Sequence, residues 1–471
     1  MSVVVPVPAK ARCGLRARQW LAGHRRTLAA AAIVLVIPFL LSGLHIATYE
    51  KLSPIDEWAH LDSAFQTSHG HIVRRGDALD VATTRVIGCR SIDSPGFVSP
   101  YSCEGDPTAT IETNTAYMHP PLYYAITGLA ARLSTSVGVT GSFLTGARIV
   151  NAVWLAAGTL LTFLMLGELH ASRLVRASCS LLPLLAPMVL FQGSTVTNDV
   201  TAIPSAAAAL WLTFRYDNRT THAWALAAVA IASVWLRTTN VFGIALCALY
   251  LLIRALHDPP RRRRLLQGAL VLIASAGIAA AVWLVVIDQM ALVPAAAFRL
   301  RPLFPQRLTW HDLIVSVAPM VPPTGALPDV TMWSGRDLVQ LQVAALGWLL
   351  VSAPFMAMLE PSPDSDQRWS RTTAETAPGE ERTLQDTGMT RGIAIGIATA
   401  VVAILTGPAL VIINAVSSDS YLGSPPPARL AMSVVPGFVV CVAFGARRRN
   451  AARALALFVA AGLISTAAVL L

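Results

Sequence analysis

Long apolar runs separated by polar intervals dominate the chain. Apolar stretches lie near 28–48, 148–168, 177–192, 201–214, 222–236, 241–256, 265–287, 338–359, 392–413, 429–445 and 452–471. Continuous runs predict membrane-crossing helices, since a crossing takes ~20 apolar residues. Barrel strands would alternate apolar and polar positions instead. Two long polar segments, 49–146 and 288–336, and a short one at 414–427 separate the runs. A further apolar stretch, 121–135, is short and contains Arg132. The pattern predicts an all-α polytopic membrane protein of about eleven transmembrane helices, with a long first loop carrying amphipathic interfacial helices.

Composition excludes the other classes. Of 471 residues, 54% are hydrophobic and 13% charged, against about 25% charged in soluble domains. Disordered, collagenous and disulfide-scaffold proteins have other compositions. The net charge of +10 is explained by retention of Lys and Arg on the cytoplasmic side of membranes and needs no nucleic acid partner. With the N-terminus inside, eleven crossings and 121–135 lying in the interface, 23 of 36 basic residues are cytoplasmic and 16 of 26 acidic residues exterior. If 121–135 crossed, Arg261–Arg264 and Arg447–Arg449 would face outward, against that rule.

The organisation expected is a basic cytoplasmic N-terminus (1–27), a transmembrane core (28–256) including the exterior loop 49–146, and a transmembrane region (257–359) with exterior loop 288–336. A Ser-, Thr-, Pro- and Glu-rich cytoplasmic linker (360–391) and C-terminal transmembrane helices (392–471) complete it. The first run is too long for a signal peptide and reads as an uncleaved anchor. Cys13, Cys179, Cys247 and Cys441 fall in or beside spans. Cys89 and Cys103 share the first exterior loop, a compartment that permits a disulfide.

Three groups of residues carry candidate chemistry. The first is Asp56-Glu57 with His60, just beyond the first run. Paired carboxylates at a membrane surface can bind a divalent cation or act as a general base; the alternative is a solvated loop with Asp56 as a helix N-cap. The second is Asn198-Asp199 at the exterior end of the third run, where an ionisable residue at a membrane edge is a functional candidate. Capping of the next helix is again the alternative. The third is Arg237 and Arg429, exterior arginines that run against the charge bias. A guanidinium forks a lipid phosphate bidentately, and snorkelling to headgroups is the competing explanation.

Asp56-Glu57 after the first run, His119-Pro120-Pro121-Leu122-Tyr123-Tyr124, Arg148 opening the second run and Asn198-Asp199 after the third together resemble the GT-C superfamily. These are integral-membrane glycosyltransferases that use polyprenyl-phosphate sugars. The resemblance covers roughly 28–256, with a weaker echo at Arg429, where Leu430 replaces the family's tyrosine. It implies a bacterial plasma-membrane enzyme with an exterior active site, moving a sugar with inversion from a lipid-linked donor to an envelope glycan, lipid or protein acceptor. Asp56, Glu57 and Asp199 would be the catalytic carboxylates and hold a divalent cation (Mg or Mn) if one is used. His119, Arg237 and Arg429 would bind the donor phosphate, with His60, Arg148 and Asn198 in support. A transporter or lipid flippase is the rival reading, though transporters place charges near the midplane and often show inverted repeats, and none is visible here. A catalytically inactive envelope-assembly partner is the third.

Overall fold

A computed structural model describes residues 9–94, 96–104, 113–294, 309–321, 337–359, 378–418 and 428–471, and these are helical with no strand among them. The protein is an all-α polytopic membrane protein. Its apolar runs become α1 (Ala9–Thr48), α5 (Phe143–Gly167), α6 (Arg173–Leu181) with α7 (Pro187–Ser194), α8 (Ala202–Asp217), α9 (Ala223–Leu236), α10 (Val241–His257), α11 (Arg262–Gln289), α13 (Asp337–Met358), α14 (Pro378–Ser418), α15 (Val435–Gly445) and α16 (Arg449–Leu470). The first polar loop holds α2 (Glu57–Ser68), α3 (Val81–Arg90) and α4 (Leu122–Ser136), and the second holds the short α12 (Trp310–Val315).

Helix length does not reproduce eleven crossings among the described residues. Seven helices among the described residues are long and apolar enough to cross a membrane, or eight if α6 and α7, bent by 81°, count as one broken span. The runs at 201–214 and 222–236 form helices of 16 and 14 residues, and 429–445 is likewise short. Each falls below the ~20 residues a straight crossing needs. Pro187 at the start of α7 supplies a break, since proline cannot donate into a preceding turn. Of the stretch expected as a linker, 360–377 lies outside the described residues, and α14 starts at Pro378, a residue suited to the first helical position. Most of 288–336 and of 414–427 lies outside the described residues as well.

Segment 121–135 forms α4, whose Tyr123, Tyr124, Thr127, Gly128 and Ala131 are buried while Ile126, Leu129 and Leu133 are exposed. It packs against α2 and α5. A Cβ on Gly128 would collide with the Ala64 carbonyl of α2, so the approach of these two helices requires glycine there. At the end of α3, Cys89 forms a disulfide with Cys103, Cα atoms 4.4 Å apart.

One buried ion pair ties the loop to the bundle. Glu57, 0% exposed, faces Arg148 of α5, 3% exposed. Arg148 Nε and Nη2 donate to the two Glu57 oxygens at 2.8 and 2.9 Å, and its Nη1 and Nη2 donate to the carbonyls of Tyr49 and Lys51, each at 2.6 Å. The backbone N–H groups of Ser53 and Val196 complete the carboxylate's shell at 2.7 and 2.8 Å. The end of α1, the start of α2, α5 and the 195–197 segment thus meet at one carboxylate. Asn151 of α5 reinforces this by donating to the Thr197 carbonyl at 3.1 Å while accepting from the Tyr123 hydroxyl at 2.7 Å.

Breaking a buried pair strands a charge, at about 3–5 kcal/mol. Arg148→Met is expected to lower the thermal unfolding temperature of the purified chain strongly, and Glu57→Gln added to it is expected to recover part of the loss by removing the stranded charge. An unchanged transition in Arg148→Met would contradict the role assigned to the pair. Peptide mapping of unreduced protein is expected to find Cys89 and Cys103 linked, and alkylatable thiols at both would contradict it.

Candidate active site

The site forms where α2, the 113–121 segment, the 195–201 segment, the α9–α10 break and the 428–434 turn converge. Asp56 is the residue before α2 and adopts the left-handed conformation, φ 54 and ψ 19, with no side-chain cap hydrogen bond. A non-glycine residue there costs of order 1–3 kcal/mol, less for Asp than for bulkier residues. The conformation aims its carboxylate away from the helix and toward Arg429, whose Nη2 lies 3.6 Å from Oδ2. Asp56 therefore does not serve as an N-cap.

Asp199 is also released from capping, because Thr197 caps in its place. The Thr197 hydroxyl accepts from the Asp199 N–H at 3.2 Å. The Asp199 side chain, 5% exposed, ion-pairs with Arg237 through Nη2 and lies 3.3 Å from Arg429 Nε. Gln192 of α7 donates to its Oδ2 at 3.0 Å. Arg429 thus bridges the two carboxylates, and Asp199 bridges the two arginines.

Arg237 sits in an extended residue that ends α9 before a 3-10 turn at Thr238–Asn240. Asn240 pins that turn, donating to the Thr201 and Ser205 hydroxyls and to the Ser233 carbonyl at 3.0–3.2 Å. The break turns the guanidinium inward, where its side chain is 2% exposed. Nη2 is occupied by Asp199, but Nε and Nη1 are buried without a hydrogen-bond partner. Buried donors of that kind are rare.

Pro120 after His119 favours extended backbone, and His119 adopts φ −98 and ψ 142. Trp283 of α11 holds the segment by donating to the Met118 carbonyl at 3.0 Å. The His119 ring stacks on His60, centroids 5.5 Å apart, and His60 in turn stacks on Tyr124 at 5.9 Å. His60 Nδ1 and the Tyr124 hydroxyl are hydrogen-bonded at 2.7 Å. Burial, with Arg237 adding to it, lowers the His119 pKa to about 4, and burial drives His60 well below the usual value too. Both imidazoles are neutral at pH 7. His119 can offer a phosphate an N–H but no positive charge.

Asp56 is displaced the other way. Exclusion of water raises its pKa, Arg429 opposes the rise and the nearby Asp199 carboxylate adds to it. A carboxylate with a raised pKa is a better proton acceptor, as a general base requires.

Asp56, Asp199, His119, Arg237, Arg429 and His60 come together. Glu57 and Arg148 do not face this cluster; they form the structural pair described above. Asn198 is fully buried with neither amide atom paired. Cys89 and Cys103 lie elsewhere. The three carboxylates expected to share a cation, Asp56, Glu57 and Asp199, do not form one group among the described residues. Both Glu57 oxygens are occupied, Asp199 is flanked by two arginines that would repel a cation, and no group of three His, Cys, Asp or Glu among the described residues is arranged to hold a metal. Arg429, expected at the donor phosphate, bridges Asp56 and Asp199 in this arrangement.

The sequence pattern assigns no role to two further contributors. Gln192 fixes Asp199, and its signal is a polar residue inside an apolar run. Tyr124 orients His60, and it ends the His-Pro-Pro-Leu-Tyr-Tyr string, in which the histidine draws the attention.

No family model matches this sequence, and no curated protein matches it. Among solved structures, the chain is similar to ArnT from Cupriavidus metallidurans in two crystal structures, one bound to undecaprenyl phosphate and one in the apo state. Identity is 16% in both, with 95% of this chain and 77% of that chain covered and TM-scores of 0.43 and 0.41. A likeness at this level is one of helical arrangement alone.

Proposed function

We propose that the protein is a membrane glycosyltransferase that moves a sugar from a polyprenyl-phosphate donor to a hydroxyl acceptor of the cell envelope. The observation that carries this reading is the buried Arg237, with two nitrogens free for an anion, linked through Asp199 and Arg429 to a half-exposed carboxylate with a raised pKa. The GT-C resemblance of the sequence, which implies a phosphate-binding cation and a loop carboxylate at the same two positions, supports it.

In the reaction, Asp56 accepts the proton of the acceptor hydroxyl. The oxygen forms a bond to the anomeric carbon as the bond from that carbon to the phosphate oxygen breaks, inverting configuration. The pair of electrons leaves with the phosphate. Negative charge thereby passes from Asp56 to the leaving group. Arg429, which neutralises Asp56 at rest, loses that partner as Asp56 becomes protonated and is free to turn toward the phosphate. Arg237 supplies preorganised donors throughout, and stabilisation of this kind counts most in a site shielded from water. Asp199 and Gln192 hold the arginines, and no step passes through a metal.

Substitutions at the two ends should differ in kind. Asp56→Asn retains the shape and removes the base, so turnover in membranes containing the native acceptor is expected to fall by ~10²–10⁴, with donor binding little changed. Arg237→Lys keeps the charge paired to Asp199 but loses the planar fork. It is expected to weaken binding of a polyprenyl-phosphate sugar by ~1.5–3 kcal/mol. Unchanged transfer by Asp56→Asn would refute the assignment, as would a wild type that moves lipid without transferring sugar.

The pH profile supplies a second test. The base acts when deprotonated, so the rate should fall on acidification through the raised Asp56 pKa, at higher pH than for an ordinary carboxylate. Arg429 favours the charged form, so Arg429→Gln is expected to move the acid limb to still higher pH. A limb that stays in place, or moves down, would contradict the pairing.

A further inference from the structure

A second cavity lies apart from the charged cluster, on the opposite face of α2. It is a groove of about 250 Å³ between α2, α3 and the first residues of α5. Leu61 and Phe65 of α2, Val86 of α3, and Phe143 and Leu144 of α5 supply its apolar lining. Phe65 and Phe143 meet edge to face, centroids 5.3 Å apart, and the Cys89–Cys103 disulfide stiffens one lip.

Arg85 and Arg90 of α3 also line it. Both are exposed. Their hydrogen bonds go to backbone carbonyls, Arg85 Nε to Glu104 at 3.1 Å and Arg90 Nη1 to Glu50 at 3.5 Å. Neither makes an ion pair among the described residues, and both guanidinium groups stand at the rim of an apolar slot.

The surroundings say what kind of molecule reaches it. Phe143 opens α5, one of the helices long enough to cross the membrane, so the groove sits where that helix leaves the bilayer. The preceding α4 and its turn present Ile126, Leu129, Leu133, Val137 and Val139 outward. Those within α4 are spaced by three or four residues, one continuous face, and an apolar face of this kind lies in the headgroup and acyl boundary. Phe143 and Leu144 open that crossing helix and line the groove, which places it at the helix's membrane end.

We infer that the groove between α2, α3 and the start of α5 binds an anionic phospholipid, one acyl chain on the apolar lining and the phosphate between Arg85 and Arg90. Its volume is below the about 300–1,000 Å³ of a pocket that encloses a drug-sized ligand, which fits part of a chain whose remainder stays in the bilayer. Guanidinium forks suit a phosphodiester. The bound lipid would hold the α2–α3 unit against the membrane.

Native mass spectrometry of the full chain, with phosphatidylglycerol and phosphatidylcholine as probes, tests this. The wild type is expected to retain one phosphatidylglycerol under conditions that strip phosphatidylcholine. Arg85→Ala with Arg90→Ala, at exposed positions, is expected to lower that affinity about tenfold or more, given two charge-assisted contacts. Ala82→Trp fills the groove and leaves both arginines in place, and it should cause a similar loss. Full retention by either variant, or equal retention of phosphatidylcholine by the wild type, overturns the proposal.

Discussion

The buried Glu57–Arg148 pair is the constraint on which the remaining geometry rests. A carboxylate with no exposure survives only with its oxygens fully satisfied, and Glu57 achieves that with partners from separate parts of the chain. The geometry that satisfies Glu57 fixes where α2 begins. It leaves Asp56, one residue earlier, in a left-handed turn and so directs the second carboxylate outward. The same carboxylate holds Val196, which places Asp199 three residues later. One structural ion pair therefore sets the positions of both acids in the site without taking part in it.

The site itself is a balanced set of charges, Asp56 and Asp199 against Arg237 and Arg429. Such a set is tolerable in a partly buried recess because each charge has an opposite neighbour. It is also poised, because protonating Asp56 or bringing in an anion shifts the balance and makes an arginine available. A neutral His119–His60–Tyr124 stack forms one wall and adds no competing charge. Two donors of Arg237 stay unpaired throughout, the feature that sets this arginine apart from the fully engaged Arg148.

Much of this is legible in the sequence, and the failures have physical causes. Apolar runs mark every long helix, since crossing a membrane demands a composition that no tertiary context overrides. They do not separate a full crossing from the shorter α8 and α9, because length in a bundle depends on which neighbours cover the ends. Asp56 and Glu57 look like one acidic pair in the sequence. Neighbouring residues of a helix point about 100° apart, and nothing local reveals that Glu57 faces an arginine of the next long helix. Asp199, Arg237 and Arg429 each stand out as a charge at a membrane edge, but that Arg429 bridges two acids depends on contacts across several hundred residues. Gln192 and Tyr124 act through other side chains and leave little trace in spacing.

In the proposed reaction, the two unpartnered nitrogens of Arg237 receive the phosphate of a lipid carrier. Electron cryomicroscopy of the full chain with a polyprenyl phosphate tests it most directly. Phosphate density in contact with Arg237 Nε and Nη1, with the Asp199 contact retained, is the result expected. Density for the phosphate elsewhere, with those two nitrogens still unpartnered, would contradict the account.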